Sequence, residues 1–129
     1  MLTKLQKAIM AHFSPGFERV YQPDCVPSTV AFPFLTVHVE PPCTPYGSGQ
    51  VTCTAFYPCT AHTERMAALD ALLSRVPVGG LILPLEEGAA VLYRHQGGQA
   101  AFPAVERGAL AAQVCFSLKI YAQEVTALC

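Results

Sequence analysis

The stretch from Gly108 to Tyr121 constrains this chain more than any other. Its even positions from Leu110 to Ile120 read Leu, Ala, Val, Phe, Leu and Ile. Its odd positions from Ala111 to Tyr121 read Ala, Gln, Cys, Ser, Lys and Tyr. Successive strand side chains point to opposite faces, so the pattern predicts one strand with an apolar face and a mixed face. A helix would hold Phe116 and Ile120 on one side but scatter Val114 and Leu118. At about twelve residues the strand is long, and it is expected to run the full width of a sheet. The other elements read as its partners.

Thr3 to Phe13 is expected to be a helix, with Thr3 as N-cap and Leu2, Leu5, Ile9 and Phe13 forming its apolar stripe. Ser14-Pro15-Gly16 ends it. Phe17 to Gln22 reads as a short strand closed by Pro23, and the prolines at 23, 27 and 33 make the following segment a loop. Phe34 to Glu40 alternates, with Leu35, Val37 and Val39 opposite Thr36, His38 and Glu40. Gln50 to Tyr57 alternates likewise, and the two segments predict an antiparallel pair joined across Pro41 to Gly49.

A second helix is expected from about Ala61 to Val76, capped by Thr60 or Thr63. Glu64 sits in its first turn, and Met66, Leu69, Leu73 and Val76 are its buried stripe, with Leu72 beside it. Pro77 and Gly79-Gly80 stop it. Leu81 to Leu83 and Ala89 to His95 read as strands, and Gln99 to Val105 stays between strand and loop because of Pro103. The order α-β-β-β-α-β-β-β predicts a single α+β domain over residues 1–129, a mostly antiparallel sheet with two helices packed on it.

Composition narrows the function classes. The chain is 52% hydrophobic and only 13% charged, so it has few charges with which to cover its outer surface, and an oligomer or assembly component is expected. The net charge is −1 and no basic run occurs, which argues against nucleic-acid binding. No run approaches the roughly 18 apolar residues of a membrane span. The N-terminal segment, interrupted by Lys4, Gln6 and Lys7, does not read as a signal peptide, which points to a soluble cytosolic chain.

The six cysteines, 25, 43, 53, 59, 115 and 129, show no C-x-x-C and no paired histidines at zinc-finger spacing. With no export signal in view they read as free thiols. His38 and Glu40 share a strand face, where two solvated side chains explain them more cheaply than catalysis does. Cys59 just before the second helix, with His62 three residues on, is the best candidate for Cys–His nucleophilic chemistry. Neither G-x-G-x-x-G nor a P-loop is present, and no cofactor is implied.

Several segments in order carry a family resemblance. They are Phe34-Leu35-Thr36-Val37-His38-Val39, Val51-Thr52-Cys53-Thr54-Ala55-Phe56-Tyr57, and the helix Glu64-Arg65-Met66-Ala67-Ala68-Leu69-Asp70-Ala71-Leu72 followed by Pro77 and Gly79-Gly80. Val91-Leu92-Tyr93-Arg94 and Phe116-Ser117-Leu118-Lys119-Ile120-Tyr121 complete the set. Together they resemble the small tail terminator proteins (tail completion or minor tail proteins) of long-tailed bacteriophages and prophages.

The resemblance implies a structural virion component, not an enzyme, assembled in the bacterial host cytoplasm. It would form a ring homo-oligomer, commonly a hexamer, at the head-proximal end of the tail tube. Its partners would be itself, the tail tube protein and the head-tail connector, with no membrane, cofactor or required nucleic-acid contact. A ring subunit needs two complementary surfaces whose contact closes under rotation. The candidates are the mixed face of the long strand (Gln113, Lys119, Tyr121), the loops Pro41 to Gly49 and Gln96 to Gly108, and the polar contacts Arg94, His95 and Arg107. The rivals are another head-tail joining protein of the same neck region, and a small ligand-binding or thiol-dependent enzyme domain using Cys59 and His62.

Overall fold

The alternation of the long C-terminal stretch is realised as β7, Ala109–Ala122, the inner strand to which most of the sheet is hydrogen-bonded. The computed structural model describes residues 2–15, 17, 19–27, 31–42, 48–58, 60–77, 79–85, 88–94, 100–102 and 109–122. Its elements are α1 (Leu2–Phe13), β1 (Val20–Tyr21), β2 (Phe34–Glu40), β3 (Gly49–Pro58), α2 (His62–Ser74), β4 (Leu81–Leu85), β5 (Gly88–Arg94), β6 (Ala100–Ala101) and β7. The class is α+β and the order is the expected one, with the two-residue β6 falling in the segment that Pro103 left between strand and loop.

The sheet runs β1-β2-β3-β7-β5-β4. One edge of β7 takes β3 along its length, with Gly49 opposite Leu118 and Pro58 opposite Ala109. The other edge takes β5, with Arg94 opposite Phe116, and then β6, with Ala101 opposite Gln113. β2 and β3 form the expected antiparallel pair, and β1 joins β2 in parallel. Registers of this kind place whole rows of side chains on one face, because the strand period is two.

One face of the sheet is therefore apolar across four strands. Leu35 and Val37 of β2, Val51, Cys53 and Ala55 of β3, Ala112, Val114, Phe116 and Leu118 of β7, and Ala90 and Leu92 of β5 are buried there together. Both helices seal this face. α1 contributes Leu5, Ile9 and Phe13 at a spacing of four, all fully buried, and the Phe13 ring stacks on Phe116 at 5.6 Å between centroids. α2 contributes Ala68, Leu69 and Leu72, and Val76 just beyond its end joins them.

Three details differ from the sequence expectation. α1 begins at Leu2, so Thr3 lies inside its first turn and is not the N-cap. The N-cap of α2 is Ala61, with no side-chain capping bond, and Thr60 and Thr63 do not fill that role. Of the expected stripe of α2, Leu69, Leu72 and Val76 are buried and Leu73 is partly buried, but Met66 is 50% exposed and Ala68 is inside in its stead. The helix carries alanines on several sides, so periodicity alone did not fix which line of residues the sheet would take.

Candidate interaction surface

The face of the sheet away from the helices is built from the alternate residues of the same strands. Its rows follow from the registers. Phe34, Phe56 and Ala111 lie side by side, then Thr36, Thr54 and Gln113, then His38, Thr52 and Cys115, then Glu40, Gln50, Ser117 and Tyr93. The rows continue with Lys119, Val91 and Ile82, and end with Tyr121, Ala89 and Pro84. A single surface thus passes from an aromatic corner through a polar centre to an apolar corner.

The aromatic corner is well packed. Phe34 stacks on Phe56 at 4.7 Å, with the rings of Tyr21 and Phe32 at 6.1 and 5.6 Å from Phe34. In the centre, Thr52 Oγ1 lies 3.6 Å from Cys115 Sγ, and Gln113 Nε2 donates to the same sulfur at 3.9 Å. Thr36 donates to the Thr54 carbonyl, and Ser48 Oγ meets the Tyr93 hydroxyl at 3.2 Å. At the opposite corner Ile82 is 69% exposed and Tyr121 is 55% exposed, with Lys119 half-buried between them. These are large apolar groups left in water on the sheet face opposite the two helices.

The expected contact residues separate into two groups. Gln113, Lys119 and Tyr121 do share the face opposite the helices. Arg94 is on the other side: its Nε donates to the Val76 carbonyl at 2.9 Å and its Nη2 to the Leu73 carbonyl at 2.6 Å. The guanidinium joins the Val76 N–H, which lies 3.3 Å from the Leu73 oxygen, on that carbonyl and also binds the Val76 carbonyl just beyond α2, and its charge suits that end of the helix dipole. Arg94 is thus engaged within the fold. His12 assists it, donating from Nε2 to the Arg75 carbonyl at 2.8 Å. His95 and Arg107, with most of the two loops, lie outside the described residues.

The alternative thiol site divides the same way: His62 is exposed as the first residue of α2, and Cys59 lies outside the described residues. Of the thiols that are described, Cys53 is fully buried on the helix side, where burial first and nearby Cys115 second push its pKa far up and keep it neutral. The Tyr57 hydroxyl is also raised, by burial and then by Glu64. Among the described residues no three His, Cys, Asp or Glu side chains gather as metal ligands would. No described helix is long and apolar enough to cross a membrane.

Sequence reasoning missed two exposed groups, Ile82 and Phe102. Leu81, Ile82, Leu83 and Leu85 are all apolar, so the run itself carries no sign of which residues turn outward. Phe102 is 46% exposed and lies under the Arg65 guanidinium, 4.5 Å from its centroid, a cation–π contact between segments distant in sequence. No protein-family model matches this chain, and no curated protein is significantly similar to it.

Proposed function

We propose that this chain is a structural subunit of a bacteriophage or prophage tail. It closes as a ring homo-oligomer on the head-proximal end of the tail tube and joins that tube to the head connector. It assembles in the host cytoplasm and ends in the virion. The observation that carries the reading is the division of the sheet into one face sealed by both helices and an opposite face with large apolar groups in water. That second face holds Gln113, Lys119, Tyr121 and the exposed Ile82. A surface with large apolar groups in water favours a protein partner, and a charge-poor composition suits a subunit buried among its copies.

The test is tube capping. Tail tube protein would be polymerised in vitro with and without the purified chain, and tube lengths measured by electron microscopy. The expected result is growth that stops where the chain binds, with a ring visible at one tube end. Tubes that lengthen equally in its presence, with no added density at either end, would refute the reading. Native mass by light scattering, in reductant and over a concentration series, supplies the second readout.

A further inference from the structure

We draw no further inference here: the strongest candidate, the exposed apolar patch that Ile82 of β4 and Tyr121 of β7 form at one corner of the sheet, carries nothing because nothing in the structure shows what covers it.

Discussion

At the scale of single residues, Arg94 shows how a charge that reads as surface can be structural. Its guanidinium holds the Leu73 and Val76 carbonyls, tying β5 to the end of α2. Arg94→Ala should lower stability by about 2 kcal/mol in denaturant unfolding, because the carbonyls lose a charged donor. Arg94→Lys should recover only part, since one ammonium does not reproduce the fork. Unchanged stability in Arg94→Ala would show that water replaces the guanidinium. Cys53 makes a prediction about pH. Its folded-state pKa is raised, so the folded chain holds the thiol proton more tightly than the unfolded chain does. Its contribution is constant at neutral pH and is lost as pH climbs above about 8.5, where the unfolded thiol begins to ionise first. Tyr57, also raised, adds the same trend from about pH 10. Melting temperature should thus be flat near pH 7 and fall on the alkaline side, less steeply in Cys53→Ala. An equal slope in the variant would remove Cys53 from the account.

At the scale of elements, the β4–β5 hairpin and the start of β3 show how backbone chemistry shapes the sheet. Pro84 stands opposite Ala89 on edge strand β4. Proline has no N–H to give β5, so its position fits only where the strand's hydrogen-bonding groups turn outward. The outer edge of β4 thereby lacks a donor at that point, which discourages another strand from adding there. Gly49 begins β3 against the chain leaving β2. A Cβ there would stand 2.9 Å from Pro42 N and closer still to the Glu40 carbonyl, both backbone atoms that cannot rotate away. Gly49→Ala should cost about 1–3 kcal/mol, as overpacking does, measurable as a lower denaturant midpoint. A neutral result would mean the two strands can part without loss. Gly80 has φ +96°, in the region that favours glycine, and lets the chain turn from α2 into β4.

At the scale of the whole molecule, stability and assembly should separate at Ile82. The side chain is 69% exposed and makes little contribution to the core. Ile82→Asp should change folding stability by no more than about 0.5 kcal/mol, as surface substitutions usually do. On the ring reading it should nonetheless lower the fraction assembled in light scattering. Loss of melting temperature together with assembly would assign Ile82 to the fold, and loss of neither would place the contact elsewhere.

The sequence by itself determined the α+β class, the element order, the antiparallel β2–β3 pair and the two faces of β7. Those follow from local periodicity: alternation at Leu110 to Ile120 and at Leu35 to Val39 admits few backbone conformations. It also marked Gln113, Lys119 and Tyr121 as one mixed face. Only the tertiary structure decided that Ala68 and not Met66 completes the buried side of α2, that Arg94 turns toward the helices, and that Ile82 stands in water. The physical reason is the same in each case. Ala67, Ala68 and Ala71 make α2 nearly uniform around its axis, and the apolar run of β4 has no alternation, so neither carries a directional signal. Their orientation is set by partners far along the chain, such as β5, which pairs with β4 and whose Arg94 holds the Leu73 carbonyl of α2. Long-range packing chose among faces that local patterning left equivalent.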